Sequence, residues 1–152
     1  MSRYASLLAG LMLGGAAAMA ADSAETGAAA VDARWAAAVK ANDLEAIVAC
    51  YAPDAVMWLP DAAEARGEKA IREFYKGLLS GNTVKDVVFS NTHYDSSREL
   101  ATGWGDVSLT FQPKSGGGPS MVMKGRFTVI AKRHEGHWVY TVDHASSIPE
   151  KP

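Results

Sequence analysis

The sequence predicts an α+β domain: three N-terminal helices packed on a curved, mostly antiparallel sheet. Up to Asn82, apolar residues recur at helical spacing in three stretches, broken by one short extended run at Ala55 to Leu59. After Asn82 the period changes to two and stays there through long runs separated by turn-forming residues. Helices first and strands afterwards is the order of an α+β domain, not of alternating α/β units.

The elements follow in chain order. Met1 to Arg3 is a short basic start, Ala5 to Ala18 an apolar run, and Ala18-Met19-Ala20 a small-x-small processing site. Residues 1–20 therefore read as a secretory signal peptide and place the mature chain in the periplasm or outside the cell. The run is too short and too glycine-rich to span a bilayer stably, so no membrane span is expected after processing. Residues 21–30 read as a flexible lead-in, and 31–148 as the folded domain.

Val31, Trp35, Ala38 and Val39 line one helical face, which Asn42 ends. Asp43 can cap a second helix carrying Leu44, Ile47, Val48 and Tyr51, with Pro53-Asp54 as its stop. A polar loop follows the strand at 55–59. Gly67 then precedes a third helix whose Ile71, Phe74, Tyr75 and Leu78 share a face as far as Ser80-Gly81-Asn82.

Four strands are expected at 83–94, 100–111, 121–132 and 138–146, joined as an antiparallel meander. If the 113–119 loop closes evenly about Gly116, Asp106 stands opposite Arg126 and Trp104 opposite Thr128. If Glu135-Gly136 is a two-residue turn, Thr128 stands opposite Asp143. One face then carries Trp104, Asp106, Arg126, Thr128 and Asp143, and the other Val107, Leu109, Phe111, Phe127, Val129 and Tyr140.

Composition narrows the function classes. The formal charge is −2 and no basic cluster exceeds Lys132-Arg133, so nucleic acid is not an expected partner. The single cysteine, Cys50, reads as a small buried hydrophobe. No His, Cys or carboxylate grouping has metal-ligand spacing, and neither a metal nor any other cofactor is expected. His144 adjoins Asp143 on one strand, and adjacent strand residues point to opposite faces, so the two cannot form a dyad.

DLEAIV at 43–48, YAPDAV at 51–56 and RGEKAIREFY at 66–75, with the strand-rich remainder, resemble the SnoaL-like and ketosteroid isomerase-like branch of the nuclear transport factor 2 superfamily. The resemblance implies a cone-shaped domain with a pocket for a small, largely apolar organic molecule. It leaves catalysis open, because one fold hosts many activities. In ketosteroid isomerases a strand acid faces the ligand. It aligns with Thr128, which implies that the polar face looks inward and that the outer sheet face covers a second copy in a homodimer.

Periodicity alone implies the reverse, with the apolar set buried. The isomerase machinery itself is not matched: the donor tyrosine aligns with Trp35, the base aspartate with Leu59 and the strand acid with Thr128, while Tyr75 is kept. The polar face offers instead Asp106, Arg126 and Asp143 as catalytic candidates, a cluster similar to that of limonene epoxide hydrolases. Trp35, Trp58, Leu59, Tyr75, Trp104 and Thr128 are the candidate ligand-binding residues. An enzyme of the lyase, isomerase or epoxide hydrolase kind and a homo-oligomeric assembly module are the alternatives to a binding protein.

Overall fold

The computed structural model describes residues 27–116 and 118–149. The expected signal peptide and residues 21–26 of the lead-in lie outside the described residues. The elements are α1 (Gly27–Ala41), α2 (Leu44–Val48), β1 (Tyr51–Trp58), β2 (Ala65–Arg66), α3 (Gly67–Gly81), β3 (Asn82–Ser96), β4 (Leu100–Pro113), β5 (Met121–His134) and β6 (His137–Ser147). The strands form one curved, unclosed sheet in the order β2-β1-β6-β5-β4-β3. Only β1 and β6 run parallel; every other neighbouring pair is antiparallel.

Several boundaries differ from the sequence reading: the long strands β3, β4 and β5 each run about two residues further, β2 falls in the expected loop, and two helix boundaries move. α1 already runs at Gly27, inside the expected lead-in. α2 ends at Val48, and Tyr51 belongs to β1 instead of the helix. Asp43 does cap α2, its carboxylate accepting from Ala46 N at 3.0 Å. The backbone then turns extended because the Tyr140 N–H donates to Cys50 O at 2.8 Å, which docks β1 on β6. Pro53 and Asp54 sit in an exposed irregularity of β1, where a missing N–H breaks no ladder bond.

The core lies between the concave sheet face and the helices. Val31, Val39, Ile47, Met57, Ile71 and Val84 are each below 2% exposed. Each large aliphatic buried this way contributes roughly 1.5–3 kcal/mol. The inner rows of the long strands are Val107, Leu109 and Phe111 on β4, and Phe127, Val129 and Ala131 on β5. Trp104, Arg126 and Thr128 stand in the exposed outer row. The orientation that the isomerase resemblance implied is thus reversed, and periodicity prevails. Burying Arg126 in place of Phe127 would desolvate a charge and expose a ring, two costs of the same sign.

The hairpin registers explain the site. β4 and β5 pair as symmetric loop closure predicts, with Asp106 opposite Arg126 and Trp104 opposite Thr128. β5 and β6 begin as predicted, His134 opposite His137 across Glu135 and Gly136 at φ 49° and 82°. Both torsions are positive, as a tight two-residue hairpin turn requires. The register then shifts: Ala131 pairs with Tyr140 but Ile130 with Val142, leaving Thr141 as an extra residue whose hydroxyl donates to Ile130 O at 3.2 Å. That bulge turns Asp143 to the inner row beside Tyr140, opposite Val129. Thr128 therefore meets His144, not Asp143.

Candidate functional site

Inside the cone is a cavity of about 500 Å³. α1 contributes Asp32 and Trp35, three apart on one helical face. α3 contributes Phe74, Tyr75 and Leu78, β3 Phe89, β5 Phe127, and β6 Tyr140 and Asp143; Leu59, just past β1, closes one side. Most of this wall is aromatic or aliphatic; Asp32 and Asp143 interrupt it in the interior, and Asp61 and Lys124 line it with exposed side chains.

Each interior carboxylate ends a chain of neutral donors. Trp35 Nε1 donates to the Tyr75 hydroxyl at 2.9 Å, the Tyr75 and Tyr51 hydroxyls lie 2.7 Å apart, and Tyr51 donates to Asp143 Oδ2 at 2.6 Å. With the Tyr51 proton committed to the carboxylate, Tyr75 must be the donor to Tyr51, so the relay runs in one direction from Trp35 to Asp143. The second chain is shorter: Tyr140 donates to Asp32 Oδ1, and Tyr94 to Asp32 Oδ2 at 2.8 Å. Asp143 Oδ1 has no hydrogen-bond partner among the described residues and is not sealed off, so it opens onto the cavity.

Burial raises both acids. Asp143 is pushed up to about 6 by loss of solvent, with the Tyr51 hydrogen bond acting against the rise. Asp32, 2% exposed, reaches about 6 for the same reason, its two tyrosine bonds opposing and the negative charge of Asp143 adding to it. Burial pushes Tyr51, Tyr75 and Tyr140 upward too, which keeps them protonated as donors. Among the described residues no group of three His, Cys, Asp or Glu side chains could hold a metal ion.

Of the expected site residues, Trp35, Leu59, Tyr75 and Asp143 line the cavity. Asp106, Arg126, Thr128, Trp58 and Trp104 do not; they stand on the outer face. Asp106 accepts from Asn91 Nδ2 at 2.6 Å, and Trp104 stacks on His93 with ring centroids 5.5 Å apart. Trp58 donates to Glu64 Oε2 at 2.8 Å and meets His144 edge-on. The Asp-Arg-Asp cluster is therefore not assembled, because the thickness of the sheet separates Asp143 from Asp106 and Arg126.

Asp32, Tyr51, Tyr94 and Tyr140 escaped the sequence reading. For Asp32 a signal existed: a carboxylate between Val31 and Trp35 on an otherwise apolar helical stripe. Tyr94 reaches inward because of a bulge between Ser90 and His93, with Asn91 at φ 51°. Its ring lies over Gly103, where an added Cβ would come within 2.8 Å of the Tyr94 ring carbons and 3.2 Å of Val129 Cγ2. Gly103→Ala is expected to lift that ring, break the Tyr94–Asp32 bond and cost about 1–3 kcal/mol. With one donor lost, a carboxyl titration followed by NMR should find Asp32 displaced further above 6.

A curved sheet closed by three helices around a lined cavity defines the cone class of nuclear transport factor 2-like proteins. The chain belongs to the SnoaL-like domain family, whose profile matches residues 33–141. No curated protein matches it by sequence. Among solved structures it is similar to a nuclear transport factor 2-like superfamily protein from Salmonella enterica, with 15% identity, coverage of 81% of this chain and 89% of that one, and TM-score 0.70. It is similar also to a protein assigned as a scytalone dehydratase from Novosphingobium aromaticivorans (15% identity, 79% and 80% covered, TM-score 0.71). A ketosteroid isomerase-like protein from Erwinia carotovora atroseptica is a third (20% identity, 80% and 93% covered, TM-score 0.62). At these identities the likeness is one of fold.

Proposed function

We propose that the cavity binds a small, largely apolar organic molecule whose polar end meets Asp143. The observation that carries this reading is the open Oδ1 of Asp143 in an aromatic and aliphatic enclosure of about 500 Å³. That volume is in the range of small-molecule sites, where apolar walls supply affinity and a few polar groups fix orientation. Folding alone gives no reason to keep a carboxylate there, since an apolar residue would pack at lower cost.

A second reading, an enzyme of the lyase, isomerase or hydrolase kind, is favoured by the pair of carboxyls sharing one cavity, where burial pushes both up to about 6. A base with that value is mostly ionised at neutral pH yet can still hold a proton in transit. Asp143 keeps the acid-base role expected of it, with Asp32 taking the place of Asp106 and Arg126. The residue 1–20 leader supports export to the periplasm or beyond. A homodimer would cover the outer face, where Trp58, Val88, Trp104 and Val122 are exposed.

A melting-temperature screen of the protein against terpenoids, steroids, polyketides and aromatic acids and amines tests the binding reading. A ligand at a hundred times its Kd stabilises by about 2.7 kcal/mol, a shift of several degrees. A folded protein that no compound shifts would overturn it. Turnover of a bound compound, lost in Asp143→Asn with binding kept, would establish the enzyme reading. Sedimentation showing a monomer at micromolar concentration would remove the dimer.

A further inference from the structure

We infer that the occupant of the cavity is an organic cation, a protonated amine carried on an aromatic or bulky aliphatic frame. This deepens the binding reading and rests on it.

The first ground is charge. Asp32 and Asp143 share one cavity, and among the described residues every hydrogen-bond partner of their oxygens is a neutral tyrosine hydroxyl. Asp143 is surrounded by Tyr51 of β1, Tyr75 of α3, Tyr140 of β6 and Asp32 of α1, none of them a cation. The cavity wall carries one basic residue among those described, Lys124, and it stands exposed in the outer row of β5, in the same row as Arg126. Asp61 adds a third carboxylate at the mouth. The enclosure is therefore net negative, and its low polarity magnifies whatever charge enters it.

The second ground is hydrogen-bond complementarity. The free position at the polar end is the acceptor Oδ1 of Asp143. A ketone or a carboxylate would bring a second acceptor against it, whereas an ammonium brings a donor and the compensating charge together. The third ground is the wall itself. Trp35, Phe74, Phe89 and Phe127 present aromatic surface to the same space, and Phe89 packs edge-to-face on Phe127 with centroids 5.0 Å apart. Such rings favour a cation over a neutral group of equal size.

The test compares three probes on one frame by calorimetry at pH 7.5: 1-naphthylmethylamine, 1-naphthylmethanol and 1-naphthylacetate. The amine is expected to bind about tenfold or more tightly than the alcohol, with the acetate weakest. Asp143→Asn keeps an acceptor for Tyr51 and should fold; it is expected to erase most of the amine preference while sparing the alcohol. Lowering the pH from 7.5 to 5 should weaken the amine alone, because the carboxyls take up protons near 6 while the amine stays charged.

An alcohol or acetate that equals the amine overturns the cation assignment and leaves the pocket reading standing. So does an amine preference that survives both Asp143→Asn and Asp32→Asn. If the naphthyl set binds too weakly to measure, the charge of the compounds found in the melting screen decides, and neutral or anionic ligands overturn the assignment. A screen with no ligand of any charge removes the pocket reading, and this one with it.

Discussion

Asp143→Asn is expected to melt at a higher temperature than the wild-type protein at pH 8 and at nearly the same temperature at pH 4. The folded state holds the Asp143 proton up to about pH 6, against an ordinary value of 3.8. A raised folded value means that stability is fully present below pH 3.8 and is lost as the pH climbs through 6. Two pKa units correspond to about 3 kcal/mol, an upper figure because water entering the cavity screens the open oxygen. Asparagine removes the ionisation but still accepts from Tyr51, so the variant regains most of that loss, about 5 °C or more. Asp32→Asn should act in the same direction. Its gain is smaller, because Tyr140 and Tyr94 donate to separate carboxylate oxygens and an asparagine amide keeps only one acceptor. A wild-type protein that gains stability between pH 4 and 7, with Asp143→Asn melting lower at pH 8, would mean that the carboxylate charge is favoured by the fold.

Ile71→Ala should cost about 2–5 kcal/mol, while Arg126→Ala should stay within about 0.5 kcal/mol of the wild type. Ile71 is 0% exposed between α3 and the sheet, so truncation leaves a void that the helix cannot collapse into. Arg126 makes no ion pair among the described residues and stands in the exposed outer row. Against a typical total of roughly 5–15 kcal/mol, the first change consumes a large share and the second almost none. Urea midpoints read the contrast directly. Equal losses, or a larger loss for Arg126→Ala, would mean that the sheet is turned the other way about.

Those two predictions mark where sequence reasoning succeeded and where it stopped. The long strands were legible because alternation over a dozen residues has no helical explanation, and the β4–β5 register because the loop closes symmetrically. Alternation also named the buried row correctly. Thr128 points the other way only by analogy with an acid this chain does not have; a threonine costs little in the outer row. Asp143 was found, though for a face it occupies only because Thr141 is extra in β6. A single inserted residue leaves no periodic trace until it is counted against its partner strand. Tyr51 was hidden for a different reason: its spacing from Ile47 and Val48 suits a helix, and only pairing with Tyr140 pulls it into β1.

The bulge that lets Tyr94 reach Asp32 has a bearing on solubility. β3 is an end strand of fifteen residues, the longest strand among the described residues; it pairs with a strand on one side and meets only the Asn42 side chain, at Val84, on the other. A straight, regular margin of that length would offer other molecules a template for adding strands and growing fibres. The interruptions at Val84/Asp86 and Ser90/His93 divide it into short pieces, with Lys85 and Asp86 charged at the first. The kink that serves the cavity thus also guards this edge against strand addition.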